Sequence, residues 1–169
     1  MNIKIKKLSE HAVIPKYAKQ GDSGFDLVAI EDVIIEPGKT AKIPTGLAFE
    51  ISEGYELQIR PRSGITSKTK LRVQFGTVDS GYRGEVSVTI DNISMIVDSD
   101  FTPLKDIKGN FVYSKSMYDS DFGGTYLIKK GDRIAQGVIA PVIKATFEEV
   151  DELSESERGE NGFGSSGVR

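Results

Sequence analysis

No cysteine occurs in the 169-residue chain, and histidine occurs once, as His11. The first absence excludes disulfides, thiolate nucleophiles and zinc–thiolate sites, and the second excludes a histidine metal cluster. No apolar run approaches the length of a membrane span, and the opening stretch "MNIKIKKLSEHAVIP" has no signal-peptide core, so an intracellular chain with no membrane partner is expected. A large excess of one sign of charge is also lacking. A net charge of −3 argues against general nucleic-acid binding and leaves room only for a local basic pocket.

The chain is long enough for one well-buried domain and short for two. Short β-branched or alternating segments recur along it: "NIKIKKL", "FDLVAI", "DVIIEP", "AKIPTGLAFEI", "YELQIRP", "EVSVTI", "TYLI" and "RIAQGVIAPVI". Turn signals separate them, such as Glu36-Pro37-Gly38, and many short strands at this spacing predict an all-β sandwich or barrel-like fold. The one helical candidate is "SGITSKTKL", with Ser63 as its N-cap. Two regions break the rhythm. An insert over about 94–122 mixes charged residues with Phe101, Phe111, Tyr113 and Tyr118, as a long loop or a small unit with partial structure of its own. Beyond a β-domain over 1–150, residues 151–169 turn acidic and then Gly-rich, which reads as an exposed arm.

Several stretches carry candidate chemistry. "GDSGFDL" sets Asp22 and Asp26 four apart, either in a polar turn or as carboxylates near a hard cation. "RPRSG" puts Arg60 and Arg62 before Ser63 and Gly64, as a surface turn or as a helix start that favours an anion. Ser63 has no histidine near it in the sequence to serve as base, which argues against a covalent nucleophile. "GTVDSGYRGE" places Gly76, Gly81 and Gly84 around Asp79, Tyr82 and Arg83, as a plain hairpin or as one whose backbone approaches a ligand. "KKGDRIAQGV" reads as a turn followed by a buried strand holding Arg133 and Gln136. The closing "RGENGFGSSGVR" contains the letters of a dinucleotide-binding glycine pattern, but the chain ends two residues later with no helix to follow.

Taken in order, "GDSGFDL", "PRSG", "GTVDSGYRGE", "GDRIAQ" and "RGENGFGSSG" resemble the five motifs of the homotrimeric deoxyuridine triphosphate nucleotidohydrolases (dUTPases), over nearly the whole chain. The resemblance implies a jelly-roll-like subunit, a homotrimer with shared active sites, and a flexible C-terminal arm closing over one of them. It implies hydrolysis of dUTP to dUMP and pyrophosphate with Mg2+. By this resemblance Asp79 is the base for the attacking water and Arg62 the second catalytic group. Asp26 holds magnesium through water. Ser63, Gly64 and Gln136 lie on the phosphate side, the backbone from Gly76 to Tyr82 reads uracil, and the Tyr82 ring packs under the deoxyribose. Phe163 caps the base, while Arg158, Gly164, Ser165 and Ser166 close on the terminal phosphate.

Departures from the pattern are Glu160 after Arg158-Gly159, Ile65-Thr66 in place of Leu-Ala, and the insert. Such an insert resembles that of bacteriophage members, which implies a phage-encoded protein in a bacterial cytoplasm and a repressor partner engaged through the insert. A related dCTP deaminase is the enzymatic alternative, and a regulatory nucleotide-sensing protein is the alternative of another class.

Overall fold

The computed structural model describes residues 1–95, 104–112 and 124–161. Over these residues the chain forms β1 (Lys4–Lys7), β2 (Phe25–Val28), β3 (Val33–Ile35), β4 (Thr40–Glu50), β5 (Tyr55–Arg60), α1 (Ser63–Lys68), β6 (Leu71–Val73), β7 (Gly76–Val78), β8 (Val86–Asn92), β9 (Lys105–Asp106), β10 (Tyr126–Ile128) and β11 (Arg133–Pro141). One sheet has the order β1-β4-β8-β6, a second β2-β11-β5-β7, and a small third β3-β10-β9. Non-consecutive neighbours in every sheet give a nearly all-β, jelly-roll-like architecture. The predicted fold class holds.

Alternation along the strands decides which face is buried. In β8, Val86, Val88, Ile90 and Asn92 point inward while Ser87, Thr89 and Asp91 are half-buried. Leu57 and Ile59 do the same in β5, and with Leu27, Ile43, Leu71 and Ile134 they belong to one continuous core. Each such aliphatic side chain contributes about 1.5–3 kcal/mol when taken out of water.

α1 differs by one residue from its sequence expectation. Arg62 holds the N-cap position with no side-chain cap bond, and Ser63 is the first helical residue. Pro61 biases the residue before it away from the α region, so the helix starts only after it. Six residues are too few for a helix to hold itself. Buried Ile65 anchors it, and Thr69 ends it by donating both its amide (3.0 Å) and its hydroxyl (2.7 Å) to the Ile65 carbonyl. The "GTVDSGYRGE" stretch is also more than a hairpin. β6 and β8 pair antiparallel as the two arms, but between them β7 leaves that sheet and pairs with β5 in the other.

The insert rises from a closed base. Asn92, 1% exposed, donates from Nδ2 to the carbonyls of Ile35 and Gly124, both at 2.8 Å, and its Oδ1 accepts from the Ser94 amide at 3.0 Å. One side chain thus ties together the first and last described residues flanking the excursion. Within it, residues 104–112 pack on the core. β9 lies parallel beside β10, Leu104 and Ile107 are buried, and Val112 donates to the Leu104 carbonyl. Of the two sequence readings, a small unit with its own structure fits this part; Phe101, Tyr113 and Tyr118 lie outside the described residues.

Asp106 closes the turn after β9. Its Oδ1 accepts from the amides of Lys108 (2.8 Å) and Asn110 (2.9 Å), and its Oδ2 from Asn110 Nδ2 at 3.1 Å. Burial pushes its pKa up, but the hydrogen bonds from Asn110 and Lys108 and the Lys108 charge outweigh that and hold it below its ordinary value. A carboxylate depressed in the folded state contributes stability above its unfolded pKa and loses it as pH falls through the folded value. Asp106→Ala is therefore expected to cost about 1 kcal/mol at neutral pH, a drop of about 2–4 °C in Tm. Thermal unfolding of both proteins checks this, and the gap between them narrows as pH falls below the ordinary carboxylate range.

Candidate active site

Strand register in the second sheet gathers three of the sequence candidates. Gln136 in β11 pairs with Asp26 in β2 on one side and with Arg60 in β5 on the other. Arg62 follows just past the end of β5. A register shift between Arg133 and Ala135 re-aims the start of β11, as bulges do. Arg133, which the sequence placed in a buried strand, is therefore largely exposed and swings over Asp26.

Asp26 is the hub of this cluster. Its side chain is 21% exposed, with Oδ1 2.9 Å from Arg62 Nε and Oδ2 3.1 Å from Arg133 Nη1. Arg62 Nη1 also donates to the Arg133 carbonyl at 3.1 Å. One carboxylate thus fixes two guanidiniums, leaving a local excess of positive charge beside Ser63 and Gly64. Both of those residues are exposed. A Cβ added to Gly64 would meet no described atom within 4 Å, so packing inside this chain gives no reason for glycine in a helix. Glycine there costs about 1 kcal/mol relative to alanine.

A second cluster sits at the crossing between sheets. Gly76 lies against Ile59, where a Cβ would come within 3.1 Å of that side chain. Asp79 is exposed and its carbonyl accepts from the Tyr82 amide at 3.1 Å, closing a turn. Among the described residues the Asp79 carboxylate has no hydrogen-bond or ion-pair partner. The Tyr82 ring is 47% exposed and lies across Gly84, where a Cβ would fall 2.4 Å from the phenol oxygen. Its hydroxyl donates to the Glu85 carbonyl at 3.2 Å. Gly84 is thus the floor on which that ring rests.

One chain does not bring these clusters together. β5 and β7 run antiparallel with Leu57 opposite Val78 and Ile59 opposite Gly76, so Asp79 lies beyond the Leu57 level while Arg62 lies past the other end of β5. At about 3.3 Å per residue, roughly 15–20 Å separate them. A third group stands apart again. Every described residue from 141 to 161 is exposed, and among the described residues Arg158 Nε donates only to the nearby Asn161 carbonyl, at 2.8 Å. Phe163, Gly164, Ser165 and Ser166 lie outside the described residues.

No group of three or more carboxylate or histidine side chains among the described residues could enclose a metal, and no helix among them is long and apolar enough to cross a membrane. The donor set would fit a hard cation only if most of its oxygens came from a ligand and from water, since Asp26 is the one carboxylate of the cluster and both its oxygens already face guanidiniums. Arg133 is the residue the sequence reading passed over. The signal for it was a charged residue directly after the Gly131-Asp132 turn, at the point where β11 begins beside β2.

A family model described as dUTPase matches residues 10–102 and 119–167, leaving most of the insert between its two parts. A deoxyuridine 5'-triphosphate nucleotidohydrolase of Nautilia profundicola is 47% identical over 99% of this chain and 99% of its own. One of Helicobacter hepaticus is 45% identical, covering 99% of this chain and 90% of its own. Among solved structures, Staphylococcus bacteriophage 80alpha dUTPase with dUPNHPP superposes with a TM-score of 0.91 at 37% identity over 99% of each chain, and is described as controlling transfer of virulence genes by a proto-oncogenic G protein-like mechanism. A dUTPase from phage phi11 of S. aureus, described as coordinating a structural Mg(II) ion, gives 0.84 at 35% identity over 90% of this chain and 98% of its own. Bacterial and phage relatives alike therefore match a chain of this length.

Proposed function

The chain belongs to the dUTPase family, enzymes that hydrolyse dUTP, and we propose on that footing that it acts as a homotrimer whose active sites are shared between subunits. The observation that carries the shared site is the separation of Asp79 from Arg62 along β5. Two halves of one chemistry at opposite ends of a sheet become one site only if a neighbouring copy supplies the missing half. Exposed apolar side chains on the C-terminal segment support the assembly, since Ile143 is 94% and Phe147 96% exposed in the single chain. Those residues lead from β11 into the arm over 151–169, which completes the site.

In this reading the hairpin of one subunit holds the nucleoside. Backbone groups from Gly76 to Tyr82 pair with uracil, and the Tyr82 ring, resting on Gly84, packs under the deoxyribose and leaves no room for a 2′-hydroxyl. The Asp79 carboxylate, exposed and unpartnered among the described residues, takes a proton from water. The water oxygen bonds to the α-phosphorus, the bond from that phosphorus to the bridging oxygen breaks, and pyrophosphate leaves with the electron pair. Arg62, held by Asp26, faces the growing charge on the phosphates, with Ser63, Gly64 and Gln136 beside it. Phe163 covers the base, and Arg158, Gly164, Ser165 and Ser166 close on the terminal phosphate. Magnesium, when bound, offsets the charge of the triphosphate, and Asp26 is the residue that would hold it through water. The consequence is removal of dUTP from the cytoplasmic pool that feeds DNA synthesis.

A second reading is favoured by the phage likeness. The insert engages a repressor protein, with nucleotide occupancy at the site setting the affinity. Phe111, 53% exposed with the Lys105 ammonium 5.5 Å from its ring centre, is the described aromatic best placed for that contact.

Asp79→Asn is expected to keep nucleotide binding and to lower kcat by about 10²–10⁴-fold. Mixing it with Arg62→Ala in co-refolded trimers restores part of the turnover, because some sites then combine an intact Asp79 with an intact Arg62 from another chain. Mixtures as inactive as the separate variants would show that both groups act within one chain. Tyr82→Ala is expected to narrow the ratio of kcat/KM for dUTP over UTP, and an unchanged ratio would assign sugar choice elsewhere. For the second reading, Phe111→Asp is expected to abolish retention of a repressor while leaving dUTP turnover intact. Equal retention by both proteins, with and without a non-hydrolysable dUTP analogue, would remove that role.

A further inference from the structure

A cavity of about 340 Å³ opens beside Arg62 and lies in the size range of small-molecule sites. Three elements build it: helix α1, the turn after β9 in the insert, and the turn before β11. Its lining includes four cationic side chains, Arg62, Lys68, Lys108 and Arg133, and one carboxylate, Asp132. Gly64 lines it too, with open space where a Cβ would stand.

The carboxylates nearby have partners of their own. Asp26 takes both guanidiniums, Asp132 Oδ2 accepts from the Lys129 amide at 2.8 Å, and Asp106 is filled by donors from Lys108 and Asn110. Among the described residues the Lys68 and Lys108 ammonium groups have neither an ion pair nor a hydrogen bond. The backbone that carries them is nevertheless fixed by the fold. Gly109, at φ +82°, sits so close to the end of α1 that a Cβ there would lie 2.9 Å from the Lys68 carbonyl oxygen. Buried Ile65 and Ile107 hold the two segments from beneath. Four cationic side chains against one carboxylate give the cavity a positive lining, and a multivalent anion seated there offsets that charge.

We propose that this cavity is a binding site for a phosphate-class dianion or higher, and that Lys68 and Lys108 are its specificity-determining residues, the second supplied by the insert. The inference rests on the hydrolytic reading only for the source of the anion. The shared chemistry is a phosphoanhydride chain, either the terminal phosphates of bound dUTP or the pyrophosphate released from it. The insert then has a role inside the enzyme, adding a cation at the far end of the phosphate path.

Calorimetric titration of the intact trimer with pyrophosphate, with a non-hydrolysable dUTP analogue and with dUMP tests the site, in the wild type and in Lys68→Ala, Lys108→Ala and Lys108→Glu. Both lysines are exposed, so the variants fold, and thermal unfolding verifies it. The expected result is a loss of at least tenfold in pyrophosphate affinity for Lys68→Ala combined with Lys108→Ala, and a loss at least as large for Lys108→Glu alone. dUMP affinity stays within twofold. If the analogue weakens in parallel, the cavity holds the substrate's terminal phosphates. If only pyrophosphate weakens and its product inhibition is relieved, the cavity holds the leaving group. Pyrophosphate affinity unchanged in the double variant, or lost equally with that of dUMP, overturns the assignment. A wild-type protein that binds pyrophosphate through these lysines yet fails to turn over dUTP would keep the anion site and sink the hydrolytic reading instead.

Discussion

The placement of β11 between β2 and β5 is the constraint on which the rest of the molecule depends. That strand carries Gln136 into line with Asp26 and Arg60, and its irregular start turns Arg133 toward the same carboxylate. Gly137 makes the pairing possible, because a Cβ there would stand 2.4 Å from the Phe25 ring. Phe25 in turn stacks with Phe49 at 6.2 Å between ring centres, so the strand that presents Asp26 is locked to the first sheet through aromatic contact. The polar hub sits on an apolar support that cannot slide by one residue without turning its side chains inside out.

From that hub follows the division of labour in the molecule. Asp26 settles two guanidiniums with one carboxylate, which keeps both arginines oriented while leaving positive charge over for a phosphate chain. Asp79 and Tyr82 are built elsewhere, on the crossing segment that leaves one sheet for the other between β6 and β8. Fixing them there gives a rigid turn for Tyr82 to rest on. It also places Asp79 too far from Arg62 for a single chain to use both.

The insert belongs to the same economy of contacts. Asn92 closes its base with three hydrogen bonds, so the excursion begins and ends at one point, and the strand it contributes extends the small sheet rather than disturbing a large one. Leu104 and Ile107 join it to the body of the protein, and the turn beyond them brings Lys108 to the side of α1. A segment that could have been an appendage lines one cavity with Arg62, Lys68 and Arg133.

Much of this was legible in the residues themselves. Alternating apolar positions such as those of β8 define strands by period alone, and five short motifs in order pointed to one family. Glycine and proline marked the turns, because few other residues tolerate those backbone angles. Pairing was not legible, since it joins residues far apart in the chain: nothing in "GTVDSGYRGE" says that its strand, β7, will pair in a different sheet from β6 and β8 on either side of it. Nor does "GDRIAQ" announce that Arg133 will lie over Asp26, 107 positions away, because that contact exists only once β11 has found β2. The sequence determined which residues could carry the chemistry. The tertiary structure decided which of them meet within one chain and which stand apart, because strand register, a long-range property, sets those distances.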